Sequence, residues 1–267
     1  MLSNLHTHTT FCDGKNTPEE IVIRAIEKGF DSIGFSGHGY TDFDQRYCMK
    51  DTDAYISAIK HLKKKYKNEI QIYLGIEEDA FSLTNRNDFD YIIGSSHYLC
   101  VKGKHYPIDS SYEFFKKCLE IFDNDIISLS HTYYKEFCDY ILKRKPDIVG
   151  HFDLITKFDE MDDSLFLHND EYLKLSKKYL LAALKSEAIF EVNTGAISRG
   201  YRTTPYPYEN LLYLLKKHGA KITLSSDSHS KDTLDFHFSQ TKQLLLDIGF
   251  KQIYTLFDNE FIKTDIF

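Results

Sequence analysis

The start of the chain places side chains of metal-binding type close together. In the segment NLHTHTTFCDG, His6 and His8 are two residues apart, and Asp13 follows shortly after them. Alternate residues of a strand point to the same side, so His6 and His8 can bind one ion together. The segment SSDSH repeats this spacing with Asp227 and His229. Imidazole nitrogens and carboxylate oxygens suit Zn, Mn and Fe. The two pairs therefore predict a site for divalent cations.

Three further histidines and one glutamate follow apolar runs that are typical of strands. His38 follows SIGFSG and Glu77 follows LGI, whereas His97 follows IIGSS and His151 follows DIVG. The carboxyl ends of parallel strands converge on one rim of a barrel, so these side chains are expected to meet. A dense group of imidazoles and carboxylates is poorly solvated unless cations occupy it. The joint pattern therefore predicts a multinuclear metal site, although an isolated pair of histidines would not.

The elements that must position these side chains alternate between short apolar runs and helices. Thr17, Pro18 and Glu20 predict a capping box with proline at the first helical position, and this helix extends to Gly29. Further helices are predicted over residues 53–66, 110–123, 134–144, 170–186, 208–218 and 232–248. Alternation of strands and helices predicts an α/β fold with a parallel sheet or barrel. Whether the additional apolar run QIYTLF near the carboxyl end joins that barrel is left open.

Length and composition exclude several classes of protein. The chain has 267 residues, of which 42% are hydrophobic, and we expect residues 1–267 to form a single domain. No apolar run approaches the roughly 18 residues of a membrane helix, and the start lacks the features of a signal peptide, which predicts a cytoplasmic protein without a membrane partner. The five cysteines are scattered and predict neither disulfides nor a thiolate zinc site. The formal charge of −7 disfavours a nucleic-acid partner.

Taken in order, these segments resemble the motifs of the polymerase and histidinol phosphatase (PHP) family. The segments are NLHTHTTFCDG, FSGHG, LGIEED, IIGSSHY, VGHFDLI, EVNTGAI and SSDSH, which extend from residue 4 to about residue 230. GSSHY followed by YPIDSS, together with DIVGHFDLITKF, resembles the histidinol-phosphate phosphatase branch more narrowly. The resemblance implies a distorted TIM-like (β/α)7 barrel with up to three divalent metal ions. It also implies hydrolysis of L-histidinol phosphate, a step of histidine biosynthesis, by attack of metal-activated hydroxide.

The resemblance further implies which residues hold each ion. The first ion would be bound by His6, His8, Glu77 and Asp227, the second by Glu77, His97 and His151, and the third by Asp13, His38 and His229. Asp13 departs from the pattern, because some members have histidine there, and this change could alter the metal preferred at the third position. His131 in SLSH competes with His151 for the second ion, and the match of VGHFD to the family motif favours His151.

Cationic side chains near the rim would complete the binding of a phosphate group. Arg199 in ISRGYR is the first candidate, because a guanidinium group binds two phosphate oxygens at once. Arg202 is the second candidate, with a surface position as its alternative, and Lys157 in LITKF is the third. The leaving alkoxide needs an acid, for which His229 and Asp227 are candidates, although a metal ligand is a poor free acid.

The expected substrate is a small-molecule phosphomonoester, and other activities fit the same residues. Another PHP phosphoesterase could act on small nucleotide phosphates, a metal-binding scaffold would have no turnover, and a metal-dependent amide hydrolase would show no preference for phosphate. Histidinol phosphate calls for a partner carboxylate and an aromatic wall. The aromatic residues expected near the rim are Tyr98, Tyr133, Tyr134 and Phe152.

Overall fold

A nearly closed barrel of seven parallel strands forms the centre of the computed structural model, which describes residues 1–161 and 165–267. In barrel order the strands are β1 (Ser3–Asn4), β2 (Ser32–Phe35), β3 (Gln71–Asp79), β4 (Tyr91–Ser95), β7 (Ile148–Val149), β8 (Ile189–Asn193) and β9 (Ile222–Ser225). A parallel bridge between Thr7 and Ser228 connects the chain after β1 to the chain after β9. The amide of His8 donates to the Ser228 carbonyl at 2.8 Å. The predicted α/β barrel with seven strands is therefore confirmed.

Helices surround this barrel and connect its strands. They are α1 (Pro18–Glu27), α2 (Thr52–Lys65), α3 (Tyr112–Glu120), α4 (Ile126–Arg144), α5 (Asp170–Ala183), α6 (Gly195–Ser198), α7 (Glu209–Lys217) and α8 (Phe238–Ile248). The predicted capping box begins α1, since the Thr17 hydroxyl accepts from the Glu20 amide at 3.3 Å and a Glu20 carboxylate oxygen accepts from the Thr17 amide at 3.0 Å. Among the described residues, no helix is both long enough and apolar enough to cross a bilayer.

Two predicted helices begin more than two residues away from their predicted starts, whereas the other predicted helices begin within two residues of them. Helix α4 begins at Ile126 rather than at residue 134, because the Asp125 carboxylate caps it by accepting from the amides of Ile127 and Ser128. Helix α8 begins at Phe238 rather than at residue 232, because His237 has a left-handed backbone with φ of 63°. Both differences come from local backbone geometry that hydrophobic periodicity does not report.

Apolar cores lie between the helices and the barrel. On one side, Ile21 and Val22 of α1 are fully buried in a cluster that also contains Ile33 and Phe35 of β2. A larger cluster joins α4, α5, α7 and α8 to the strands on the other side. Burying one such aliphatic or aromatic side chain stabilises the fold by roughly 1.5–3 kcal/mol. These cores fix the strands and hence the positions at which the strands end.

Two antiparallel hairpins lie at opposite ends of the barrel. Strands β5 (Tyr98–Val101) and β6 (Lys104–Pro107) form the hairpin that follows β4 at the carboxyl rim. The run QIYTLF does not join the barrel but forms β10 (Gln252–Phe257), which pairs with β11 (Glu260–Asp265). Leu256 of β10 belongs to an apolar cluster with Leu5 and residues of the inner barrel. The second hairpin therefore covers the end of the barrel opposite the rim.

One tyrosine ring inside the barrel requires glycine on two neighbouring strands. Tyr91 of β4 lies against Gly34 of β2 and Gly75 of β3, and its hydroxyl donates to the carbonyl of Leu5. A Cβ atom added at either glycine would overlap with this ring. Glycine is therefore required at both positions by the close approach of Tyr91, and the ring connects three neighbouring strands to β1.

We expect Gly75→Ala to lower the free energy of unfolding by roughly 1–3 kcal/mol, because the new methyl group forces the Tyr91 ring to move within a packed interior. The measurement is urea unfolding of the metal-stripped protein. Gly39→Ala is the matched control, because its Cβ would lie 3.4 Å from its nearest neighbours, an ordinary contact. Equal stabilities of the two variants would contradict the role of the close approach.

Candidate active site

Nine residues predicted as ligands converge at the carboxyl rim of the barrel. Glu77 lies near the carboxyl end of β3, and the others follow strands, so the barrel places most of these side chains; Asp13 lies in a turn nine residues after β1. These side chains form four overlapping groups, and within each group the donor atoms lie within 4.8 Å of one another. The groups are His8, Asp13, His38 and His229; His6, Glu77 and His151; His6, His8 and Asp227; and His38, Glu77 and His97. The structure therefore brings together all nine side chains from opposite ends of the sequence.

Glu77 lies at the centre of this group. It lies two residues before the end of the nine-residue strand β3, and its side chain is only 1% exposed. Its Oε1 atom lies 3.0 Å from His97 Nε2 and 2.9 Å from His151 Nε2. Its Oε2 atom lies 3.2 Å from His6 Nε2 and 2.8 Å from His38 Nδ1. His8 Nε2 also lies 3.5 Å from Oε2. One carboxylate thus contacts five imidazoles, two through Oε1 and three through Oε2, and could serve more than one cation.

Several donor atoms of the cluster are buried without a hydrogen-bond partner among the described residues. These atoms are Nε2 of His6, Nε2 of His8 and Oε2 of Glu77. A buried polar atom without a partner costs roughly 1–3 kcal/mol. Divalent cations would satisfy all three atoms, and nitrogen and carboxylate donors in this arrangement suit Zn, Mn or Fe. The residues present therefore fit a metal centre.

Asp13 lies where the cluster meets solvent. Its Oδ2 atom is 3.3 Å from His229 Nε2 and 3.7 Å from His38 Nε2. The ring of His8 stacks on that of His229, with 4.0 Å between the centroids. Burial opposes ionisation of Asp13, but His38 and His229 nevertheless hold the pKa of its carboxyl group well below the usual range. An oxygen donor therefore stands beside three imidazoles at the outer end of the cluster.

Glu191 supports the cluster from below and was not identified from the sequence. Its Oε1 atom lies 2.6 Å from His6 Nδ1 and accepts from the Ser225 hydroxyl, and its Oε2 atom accepts from the His151 amide at 2.8 Å. This contact holds the proton of His6 on Nδ1 and leaves Nε2 free to bind a cation. A glutamate inside the apolar run AIFEVN was the available signal, because a buried charge in a barrel strand needs a partner.

Asp109 is a second residue that sequence reasoning missed. Its Oδ2 atom lies 3.4 Å from His97 Nδ1, and its backbone carbonyl accepts from Lys157 Nζ at 2.6 Å. Burial alone would raise the pKa of the Asp109 carboxyl group. The charges of Lys157 and His97 outweigh this effect, so the pKa lies below its usual value. The carboxylate therefore orients one imidazole of the cluster and holds one cation beside it.

A cavity of about 350 Å³ opens onto the cluster. Arg199 and Lys157 line it, as predicted from the sequence, together with several of the clustered histidines. Arg199 donates to the carbonyl and to the Oδ2 atom of Asp227, both at 2.9 Å, and its Nη1 lies 3.2 Å from His229 Nδ1. A guanidinium group and an ammonium group thus face the space in front of the candidate metal ligands, where they can attract an anion.

The structure does not bring Arg202 or His131 to this cavity. Arg202 is only 3% exposed, and its guanidinium lies between the rings of Tyr206 and Tyr208, at 4.1 and 3.7 Å from their centroids. Arg202 is therefore neither at the surface nor at the site. His131 lies on the exposed face of α4, with its Nε2 3.3 Å from the Tyr179 hydroxyl. His151, and not His131, is the residue placed beside Glu77.

The aromatic residues expected at the rim divide in the same way. Tyr98 lines the cavity. Tyr133, Tyr134 and Phe152 are instead buried in the large apolar cluster between the helices and the barrel. Position near the end of an apolar run therefore did not distinguish a cavity wall from the core.

Comparison with known proteins gives consistent matches along the chain. The PHP domain model matches residues 4–195. A Schizosaccharomyces pombe relative named "Probable histidinol-phosphatase" is 29% identical over 263 residues, which cover 90% of this chain and 84% of that protein. The histidinol-phosphatase of Bacillus subtilis is 26% identical over 87% of this chain and 95% of its own length. The crystal structure of Lactococcus lactis histidinol phosphate phosphatase with zinc, L-histidinol and phosphate has a TM-score of 0.70 and 20% identity, covering 98% of this chain and 99% of that chain.

We expect Glu191→Gln to weaken metal binding roughly 10- to 100-fold, because the neutral amide no longer holds the His6 ring in the binding orientation. The measurement is metal content after dialysis against a graded series of chelator concentrations. Glu260→Gln, an exposed change in the hairpin at the other end of the barrel, is the matched control. Retention of wild-type metal affinity by Glu191→Gln would show that Glu191 does not support the site.

The metal-stripped protein is expected to lose stability as the pH rises from 6.5 to about 9. Burial alone would lower the pKa of His38, but the carboxylates of Glu77 and Asp13 outweigh this effect and raise the pKa from 6.5 to about 9. The stabilisation that comes from protonated His38 is complete below pH 6.5. It is lost as the pH rises through about 9, where His38 of the folded protein releases its proton. A metal-loaded protein should lack this loss, because cations bind neutral imidazole. Urea unfolding of both forms across this pH range tests the difference, and identical pH profiles would contradict it.

Proposed function

The chain belongs to the PHP family, and from that premise we propose that it is a metal-dependent phosphomonoesterase that hydrolyses L-histidinol phosphate to L-histidinol and phosphate. The observation that carries this proposal is a single cavity in which a buried cluster of imidazoles and carboxylates adjoins Arg199 and Lys157. Cations and fixed positive side chains on one wall suit a phosphate dianion. The names of the Schizosaccharomyces and Bacillus relatives, and the ligands of the Lactococcus protein, support this choice of substrate.

The catalytic unit that we propose extends over residues 1–267 as one domain. The match to the PHP model ends at residue 195, but Asp227 and His229 follow β9, and the Thr7–Ser228 bridge joins that segment to the beginning of the chain. The remainder of the chain thus supplies two of the candidate ligands. As a step of histidine biosynthesis, the reaction is assigned here to the cytoplasm.

The metal centre that we propose contains up to three divalent ions of Zn, Mn or Fe. The first would be bound by His6, His8, Glu77 and Asp227, the second by Glu77, His97 and His151, and the third by Asp13, His38 and His229. The contacts of Glu77 Oε1 with His97 and His151, and the close set of Asp13, His38 and His229, support this division. When bound, such ions neutralise phosphoryl charge and lower the pKa of an attacking water molecule.

Arg199 and Lys157 orient the phosphate group in this proposal. A phosphoryl group passing through its transition state spreads negative charge over its oxygens, and fixed cations beside those oxygens stabilise it. Arg199 is held by Asp227, and Lys157 is held by Asp109, so neither cation has to be ordered when substrate binds. Arg202 has no part in this step because its guanidinium is enclosed by aromatic rings.

In the reaction, a new P–O bond forms to the oxygen of the attacking water while the bond between phosphorus and the ester oxygen breaks. The leaving alkoxide oxygen, still bonded to carbon, takes up a proton. Burial would raise the pKa of Asp227, but Arg199 and His6 hold it well below its usual value, so Asp227 acts as a carboxylate ligand rather than as an acid. Imidazole is the side-chain type that exchanges protons near neutral pH. Of the two candidates, this leaves His229, which is partly exposed and lines the cavity, for proton transfer. His229 would have this role only where the third ion is held by Asp13 and His38 without it, because an imidazole bound to a metal is a poor free acid.

The test is release of phosphate by the metal-analysed protein from L-histidinol phosphate and from small nucleotide and sugar phosphates at matched concentrations. We expect the highest kcat/KM for L-histidinol phosphate and loss of activity after metal removal. Comparable slow rates on every ester, or preference for a nucleotide phosphate, would overturn the proposed substrate.

The variant Arg199→Gln, measured in the same assay of phosphate release, distinguishes a phosphatase from a metal-binding scaffold without turnover. The variant should retain metal but lose at least 10-fold in kcat/KM, because one guanidinium contact to a phosphoryl group is removed. Arg24→Gln, a change at a partly exposed residue of α1 that does not line the cavity, is the matched control. Wild-type activity of Arg199→Gln would remove Arg199 from the phosphate site.

A further inference from the structure

The wall of the cavity on the side of the β5–β6 hairpin is built from two segments outside the barrel. One is the segment between β2 and α2, and the other is the hairpin itself. The Phe43 ring of the first segment stacks on the His105 ring of the hairpin at 3.9 Å and packs edge-on against Tyr98 at 4.9 Å. These aromatic contacts hold the two segments together beside the space where the organic part of a substrate would lie.

Asp44 is the carboxylate of this wall. Its side chain is only 10% exposed, and one oxygen accepts from the Tyr98 hydroxyl at 2.8 Å. Arg46 contacts both oxygens, with Nε 2.8 Å from Oδ1 and Nη2 2.5 Å from Oδ2. Hydrogen bonding from Arg46 lowers the pKa of the Asp44 carboxyl group to about 2, so the group is ionised.

The other carboxylates that line the cavity in the described part of the chain have partners that are buried or belong to the metal cluster. Asp13 and Asp227 contact the clustered histidines. Asp109 contacts Lys157, whose side chain is 11% exposed. The partner of Asp44 is different, because the Arg46 side chain is 61% exposed and lies only two residues away in the same segment. The bidentate contact strengthens this pair, but the exposed Arg46 side chain can be solvated by water when it leaves Asp44, so this pair exchanges more readily than the buried ones.

An aromatic surface leads from the metal cluster to Asp44. The Tyr47 ring packs edge-on against His38 at 4.8 Å and stacks with Tyr98 at 6.0 Å. The Tyr47 hydroxyl is buried and has no hydrogen-bond partner among the described residues. A ligand whose phosphate lies at the cluster can therefore extend along two tyrosine rings and reach Asp44 with its far end.

We propose that Asp44 binds the nitrogen-bearing cationic part of the substrate, and that Arg46 occupies this carboxylate until the substrate displaces it. The proposal rests on the proposed function and adds to it the residue that selects the organic group. The shared chemistry is an N–H cation, supplied by either the ammonium or the imidazolium group of histidinol phosphate. Arg46 then lowers the apparent affinity for cationic substrates, and Asp44 creates the preference for them.

The test uses the metal-loaded enzyme and four esters. They are L-histidinol phosphate, its analogue without the amino group, O-phosphoethanolamine, which has the ammonium group alone, and p-nitrophenyl phosphate, which has neither cation. For Asp44→Asn we expect the kcat/KM ratio of L-histidinol phosphate to p-nitrophenyl phosphate to fall roughly 10- to 100-fold, as for loss of a hydrogen bond to a charged group. The two intermediate esters identify which nitrogen group loses its preference.

Asp42→Asn is the matched control, because Asp42 is an exposed carboxylate two residues away that does not line the cavity. It should leave the ratio unchanged. Arg46→Gln should lower KM for L-histidinol phosphate roughly 2- to 5-fold, since it removes a competing cation of modest strength. If Arg46→Gln instead raises KM for every ester, Arg46 binds the phosphate group, and the proposal that substrate displaces Arg46 from Asp44 is wrong.

The outcomes separate this inference from the proposed function. If the wild type prefers L-histidinol phosphate and Asp44→Asn retains that preference, the function stands and the role of Asp44 is wrong. If the wild type prefers another ester, the proposed substrate is wrong, and the ratio of O-phosphoethanolamine to p-nitrophenyl phosphate still decides the role of Asp44. Metal content and far-UV circular dichroism of each variant show whether a loss reflects misfolding.

Discussion

A single buried negative charge constrains the design of this protein. Glu77 holds its carboxylate in the interior of the rim, where removal from water costs several kcal/mol unless other charges compensate. Five imidazoles contact its two oxygens, and they come from four different segments of the chain. The barrel, its closing bridge and the supporting carboxylates all serve to hold these groups at short range. Bound cations complete the compensation in the proposed enzyme.

Closure of the barrel brings the two ends of the site together. His6 and His8 follow the first strand, and Asp227 and His229 follow the last barrel strand. The bridge between the intervening residues of these two pairs sets their side chains on the same side of the rim. Below them, Glu191 contacts His6 and His151 and thus spans three strands with one carboxylate. The positions of these four ligands and of His151 are therefore supported by backbone pairing and by one buried carboxylate.

The fold and the convergence of the nine side chains follow from rules that act along the sequence. His38, for example, ends a short apolar run, and parallel strands end on one rim. The contributions of Glu191 and Asp109 could not be predicted, because they depend on which distant side chains a folded barrel places opposite them. Arg202 illustrates the same limit, since its position between two tyrosine rings is decided by a loop conformation that has no periodic pattern. The start of α4 depended on the cap at Asp125, which no apolar repeat records.

The bridge between the chain after β1 and the chain after β9 also determines when the site can form during synthesis. The first two candidate ligands leave the ribosome early, but their partners across the seam are more than two hundred residues later. Contacts of such sequence separation form late, because a long segment must be ordered first. The edge of the chain after β1 that faces the chain after β9 therefore stays unpaired until translation of the barrel is nearly complete. In the proposed enzyme, the full set of candidate ligands would therefore come together only after β9 has been synthesised, and a chain truncated before β9 would lack Asp227 and His229.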